Sequence, residues 1–193
     1  MFWTDWKELF PHVQTSFEYG YVGNNYERDE AFMKYYSAPS EGLRFRGIQT
    51  TVHGNWLEVS PERSSPSTLI QKYPYISFAP RLSFYESMKR LNAFLCTTHI
   101  TKPEYALRGF ASPRYVENLA CNVLAMVPVE FLKNDILGKD WIVCGLYDVR
   151  SIVGSVSDNP DKKKEWLDEQ RFSLKSTGLF DIENVVKFFE SLI

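Results

Sequence analysis

Arg114 and Glu117 stand three residues apart, which on a helix puts a guanidinium and a carboxylate on one face. Ser112 is a good N-cap for that helix, and Pro113 fits its first position, where a missing N–H costs nothing. Asn122 tolerates the left-handed conformation that closes a helix, and Val123 to Val127 is an unbroken apolar run that reads as a buried strand. A glutamate near a helix start and close to a strand edge suits the grip of a ribose, whose two hydroxyls need a bidentate acceptor.

The rest of the chain alternates strands and helices around this element. Phe17 to Gly23 is aromatic-rich and strand-like, and Gly23-Asn24-Asn25 is a turn signal. The pattern then predicts a helix from Arg28 to Tyr36, a strand over Leu43 to His53 closed by Gly54-Asn55, and a Ser- and Pro-rich loop over Pro61 to Ser67. Tyr75 to Phe78 and Ala93 to Thr98 read as strands, with a helix over Ser83 to Leu91 between them. Lys102 to Phe110 connects to the Pro113 helix. Trp141 to Cys144 is a last short strand, Asn159 to Phe172 has the charge density of an exposed helix, and Asp181 to Leu192 carries one apolar stripe at helical spacing. Short apolar strands alternating with helices predict a parallel sheet covered on both faces, with ligands at the carboxyl ends of the strands. The turns at Gly23, at Gly54 and between Phe110 and Arg114 would then share one rim.

Composition narrows the function classes. At 193 residues the chain is expected to be one domain, and 44% hydrophobic residues supply an ample core. A net charge of −2 gives no global electrostatic case for nucleic acid or anionic membranes. No apolar run approaches the roughly 20 residues of a membrane span, and the first residues lack a signal-peptide pattern, so a cytoplasmic location is expected. Cys96, Cys121 and Cys144 lack zinc-like spacing and read as buried thiols. There is no Walker loop, nucleophile elbow or His-Glu-x-x-His, and no Asp-x-Asp pair to hold a metal.

Tyr21-Val22-Gly23-Asn24-Asn25-Tyr26-Glu27-Arg28, then Val52-His53-Gly54-Asn55-Trp56, then Ser112 to Asn122 resemble, in order and spacing, the nucleotide-sugar half of GT-B-type glycosyltransferases. The resemblance runs from about Phe17 to the end, leaving 1–16 as an N-terminal segment and 17–193 as an α/β, Rossmann-like domain. It implies a parallel sheet with helices on both faces and a nucleoside-diphosphate sugar as donor substrate, with no cofactor and no metal. Position by position, it implies that Glu117 holds the ribose, that Gly23 and Asn24 let backbone approach the phosphates, and that Arg28 or Arg114 neutralises them. Ser112 and the exposed donors of the helix it starts would add anion stabilisation. Phe78 and Arg81 rank lower as contacts to the base, and His99 as a donor to phosphate or sugar. Asn122 departs from the glycine usual in the family.

The length covers one Rossmann-like domain where GT-B enzymes have two. The expectation is therefore transfer of a sugar to a hydroxyl, with a separate polypeptide or a second copy supplying the acceptor side. The alternative is a nucleotide-binding or protein-interaction module derived from such a half. The residues also carry plainer readings. Glu117 can be a helix-start carboxylate paired with Arg114, and Arg28 part of a solvated face between Glu27 and Asp29. His53 and His99 fit satisfied structural histidines. Tyr19, Tyr21, Tyr26, Tyr35 and Tyr36 read as packing, and Lys162-Lys163-Lys164 as a solvated run.

Overall fold

In the computed structural model the described residues are 15–57, 66–108, 113–131 and 141–176. Six parallel strands form one sheet: β1 (Glu18–Val22), β2 (Gln49–His53), β3 (Ile76–Ala79), β4 (Cys96–Thr98), β5 (Leu124–Pro128) and β6 (Ile142–Val143), in the spatial order β3-β2-β1-β4-β5-β6. Helical segments alternate with them. Residues 29–45 form α1, which is α-helical over Asp29–Phe32 and Ala38–Phe45 with a π-helical turn at Met33–Ser37. The others are α2 (Pro66–Lys72), α3 (Phe84–Ala93), α4 (Pro103–Leu107), α5 (Pro113–Ala120), α6 (Leu146–Asp158) and α7 (Pro160–Ser176). The expected fold class is what the chain adopts.

Side-chain alternation along the strands divides the core into two layers. Tyr19 and Tyr21 of β1, with Leu124 and Met126 of β5, pack against Phe32, Tyr35 and Tyr36 of α1 and Val149 and Val153 of α6. The opposite face takes Ala125 and Val127 against Tyr115 and Leu119 of α5 and Leu167 and Leu174 of α7. Val22 turns to Met88 and Leu91 of α3 on that same side. At Gly20 a Cβ would sit 2.1 Å from the Phe94 ring, so only glycine lets α3 close on β1.

The strand order reverses between β1 and β4, and here the sheet opens. These two strands share one register pair, Tyr19 with Cys96. Beyond it, Tyr36 takes over the work of a neighbouring strand. Its hydroxyl accepts from the Thr98 N–H at 2.8 Å and donates to the Thr98 carbonyl at 2.7 Å. Tyr19 stacks on Tyr36 with ring centroids 4.7 Å apart, and its own hydroxyl meets Thr98 Oγ1 and the Tyr35 carbonyl. The π-helical turn is what lets adjacent Tyr35 and Tyr36 both face inward. Burial holds both phenols protonated far above their ordinary range.

Several expectations need correction. The second strand begins at Gln49 rather than Leu43, because Leu43 belongs to the buried stripe of α1. That helix ends at Gly47, whose φ of +73° forms the left-handed stop, with the Gly47 N–H bonded to the Arg44 carbonyl and the Ile48 N–H to the Leu43 carbonyl. The helix expected over Asn159 to Phe172 is not wholly exposed: Lys163, Leu167, Gln170 and Leu174 are buried along it. Lys163 is thus no solvated charge. Its ammonium donates to the Phe94 carbonyl at 2.9 Å, and burial pushes its pKa down to about 8. The Gln170 amide bonds both backbone groups of Ala125, where β6 is too short to reach. Cys96 and Cys121 are buried thiols as expected, but Cys144 is exposed. The helix α6 was not anticipated, although Val149, Ile152, Val153 and Val156 follow helical spacing. Part of the loop expected over Pro61 to Ser67 is the start of α2. The helix expected over Asp181 to Leu192 lies outside the described residues.

Tyr36→Phe leaves the Thr98 N–H and carbonyl buried without partners, so it is expected to lower unfolding free energy by about 2–4 kcal/mol. Urea denaturation measures this. An unchanged midpoint would contradict the role given to the hydroxyl.

Candidate functional site

Where β1 and β4 part, their carboxyl ends border a cavity of about 300 Å³. Five sequence candidates line it together: Gly23, Asn24, Arg28, Arg114 and Glu117. Pro113, at the start of α5, lines it as well. This is the switch point at which open α/β sheets bind ligands.

The turn after β1 is locked to the turn after β2. Asn24 Oδ1 accepts from the Asn55 N–H at 3.2 Å and Asn55 Oδ1 from the Asn25 N–H at 2.7 Å. Trp56 Nε1 donates to the Gly23 carbonyl at 2.8 Å. Gly54 approaches so closely that a Cβ there would sit 2.1 Å from the Gly23 oxygen, and its φ of +154° also favours glycine. On this frame Arg28 is held by one η-nitrogen, which donates to the Asn24 carbonyl at 2.6 Å and the Tyr21 hydroxyl at 3.1 Å. A Cβ at Gly23 would lie 2.6 Å from that hydroxyl. The glycine therefore guards the support of Arg28. Arg28 is not simply part of a solvated face, for its Nε is buried and has no hydrogen-bond partner.

Across the cavity, α5 presents the other pair. An Arg114 η-nitrogen lies 2.8 Å from Glu117 Oε2, both side chains about one-third exposed or less. Neither atom has a hydrogen bond of proper geometry and both are buried, so the contact is an ion pair without directed hydrogen bonding. The C-terminal end of α5 is fixed as expected, with Asn122 at φ +58°. Arg171 from α7 reinforces it by donating to the Leu119 carbonyl at 2.6 Å and to Asn122 Oδ1 at 2.8 Å, a cation at a helix C-terminus.

The remaining candidates fall elsewhere. Ser112 lies outside the described residues. Phe78 is half-buried among Phe32, Trp56 and Tyr73, which makes it core and takes it off the cavity wall. Arg81 is exposed and does not line the cavity. His53 is structural: its Nε2 accepts from Arg90 Nε at 3.1 Å, and Arg90 also pairs with Glu18. His99 is buried beneath the cavity, edge-on to Tyr115 and beside Phe131. It shares with Arg114, Asn118 and Tyr21 a chamber of about 10 Å³, too small for anything larger than a water. Neither ring nitrogen has a partner among the described residues. Burial first, then Arg28 and Arg114, push its pKa down to about 3. It is neutral and out of direct reach of a ligand in the cavity. Tyr21, Tyr26 and Ile100 line the cavity without having been chosen. Tyr21 sits inside the motif that drew attention to Gly23, but its aromatic ring signals packing first.

Among the described residues, no group of three His, Cys, Asp or Glu side chains is placed to hold a metal, and no helix is long and apolar enough to cross a membrane. Chemically, the site offers two guanidinium groups and a carboxylate around one opening. Guanidinium groups are suited to anions such as phosphates, and a carboxylate to a pair of hydroxyl donors.

No protein-family model matches the sequence, and no curated protein does. Solved structures do match. The β-glucosyltransferase of T4 phage, seen with UDP and Mn2+, superposes with a TM-score of 0.67 at 15% identity over 87% of this chain and 46% of that one. The C-terminal domain of a group 1 glycosyltransferase (LpcC) from Francisella tularensis gives 0.61 at 12% identity and covers 89% of both chains. TarM gives 0.63 at 11% identity over 94% of this chain and 36% of its own. The fold is that of a GT-B glycosyltransferase domain. The chain spans about half the length of the T4 phage enzyme and nearly the whole of the isolated C-terminal domain. Within this fold the cavity at the β1–β4 gap is where the sequence motifs converge.

Because folded His99 resists protonation, the unfolded state takes up its proton first as pH falls below about 6.5. Stability is thus lost as pH drops from there toward 3. In urea titrations at pH 7, 5.5 and 4, wild type is expected to lose stability relative to His99→Phe. Parallel profiles would show that the imidazole is not held neutral.

Proposed function

We propose that this chain binds a nucleoside-diphosphate sugar at the β1–β4 opening and serves as the donor half of a glycosyltransferase. The observation that carries the reading is the convergence of Arg28, Arg114 and Glu117 on one cavity at the switch point of the sheet. In this reading Glu117 accepts from the two ribose hydroxyls, and the ligand frees it from Arg114. Arg28 and Arg114 then face the diphosphate. During transfer, the bond between the anomeric carbon and the phosphate oxygen breaks while the acceptor hydroxyl oxygen bonds to that carbon. The acceptor proton leaves to a base on the acceptor side, and the two guanidinium groups stabilise the charge gathering on the departing diphosphate. A second domain supplies the acceptor side, because transfer needs the hydroxyl aligned and shielded from water. Countercharge from two arginines makes binding independent of a divalent cation, although the T4 phage enzyme was seen with Mn2+.

A second reading, a module that binds the nucleotide without transferring the sugar, fits the same cavity lining of two arginines and one carboxylate. Slow release of UDP from UDP-glucose supports the transferase half, and complete stability of the donor supports the binder.

Calorimetry with UDP tests the site itself. Glu117→Ala is expected to weaken UDP binding by about tenfold to a hundredfold, the worth of hydrogen bonds to a charged group. The same substitution is expected to leave 2′,3′-dideoxy-UDP unaffected. Arg28→Ala and Arg114→Ala weaken UDP but not uridine, and EDTA changes none of these affinities. Full UDP affinity in Glu117→Ala and Arg114→Ala would refute the assignment.

A further inference from the structure

A second cavity of about 160 Å³ adjoins the first, with Ile100 in the wall of both. It opens on the other side of the α1 N-terminus, so that Arg28 faces one cavity while Glu27 and Glu30 face the other. Among the described residues, Ile100 is thus the one wall common to the arginine-lined cavity and this one. Its walls are of two kinds. Ile100, Pro103, Pro128 and Phe131 present apolar surface, whereas the α1 side presents Glu27, Glu30 and Lys34.

The charges in this cavity are unequally engaged. Lys34 pairs with Glu130 at 2.6 Å, and the other Glu130 oxygen accepts from the Tyr35 hydroxyl at 2.7 Å. Glu27 pairs with Lys102 at 3.0 Å. Glu30 has no ion-pair partner among the described residues, and it is exposed to the cavity mouth. The unspent capacity of the cavity is therefore one hydrogen-bond-accepting anion opposite an apolar wall. A ring with a C–H face and hydroxyl donors satisfies both surfaces. A carboxylate there would meet a like charge, while Lys34, the cation of the described lining, is already paired with Glu130.

Resting on the nucleotide-sugar reading above, we propose that this cavity receives the donor's sugar and that Glu30 makes it select neutral, hydroxylated sugars over carboxylated ones. Glu30 acts as acceptor to a sugar hydroxyl and as a repulsive element against acidic donors.

The test is calorimetry on the full chain with UDP, UDP-glucose and UDP-glucuronate, for wild type and Glu30→Gln. Wild type is expected to bind UDP-glucose about tenfold or more tighter than UDP-glucuronate, the scale of a like-charge contact near a protein surface. Glu30→Gln is expected to narrow that ratio severalfold while UDP affinity stays as in wild type, which also shows that the variant is folded. Equal binding of the two donors by wild type would overturn the proposal, as would a ratio that Glu30→Gln leaves intact or a loss of UDP affinity equal to that for UDP-glucose. If UDP itself does not bind wild type, the nucleotide reading fails and the proposal fails with it. If wild type binds UDP but binds UDP-glucose and UDP-glucuronate equally, the proposal falls alone and the nucleotide reading stands.

Discussion

The site depends on the sheet being open between β1 and β4 without leaving raw backbone in the gap. A parallel sheet that splits strands apart exposes N–H and carbonyl groups in its interior, where each unpaired group costs about 1–3 kcal/mol. Tyr36 resolves this by placing one hydroxyl where it both accepts from and donates to Thr98. Tyr19 stacks beneath it and ties off the Thr98 side chain. These phenols cap the exposed backbone at the base of the crevice. Both Tyr35 and Tyr36 come from the π-helical turn in α1 and are buried there.

Given that opening, the electrostatics follow from which groups are tied and which are free. Arg28 is anchored at one nitrogen by Asn24 and Tyr21, and the Asn24–Asn55 lock and Gly23 protect that anchor. Arg114 and Glu117 touch across 2.8 Å without a proper hydrogen bond, which leaves an ion pair facing the cavity that Arg28 borders from the other side. His99 stays neutral beneath them, so the floor adds no charge to the site. The two cavities then divide by sign: arginines face the first, and an unengaged carboxylate faces the second.

Much of this was legible in the sequence because the informative signals were local. The Arg114–Glu117 spacing, the Asn122 stop and the Gly23-Asn24 turn each encode a backbone geometry within a few residues, and the structure shows these geometries and brings Gly23, Asn24, Arg114 and Glu117 to one opening. Misread elements had signals that depend on tertiary partners. Leu43 looked like the start of a strand because Gly47 as a helix stop was overlooked. Lys163 looked solvated because nothing nearby in sequence announces that the Phe94 carbonyl waits for it. Phe78 looked like a platform for a base, yet an aromatic at a strand end packs inward whenever Phe32 and Trp56 lie under it. The support of Arg28 by Tyr21 was hidden for the same reason, since a tyrosine on a strand signals core before it signals function.

The central claim is that a carboxylate and two guanidinium groups at the parting of two parallel strands clasp a nucleoside diphosphate. A crystal structure of the chain grown with saturating UDP tests it most directly. The account predicts diphosphate oxygens on Arg28 and Arg114, both ribose hydroxyls on Glu117, and the Arg114–Glu117 contact released. UDP bound elsewhere, or bound here with the Glu117 carboxylate still on Arg114, would contradict it.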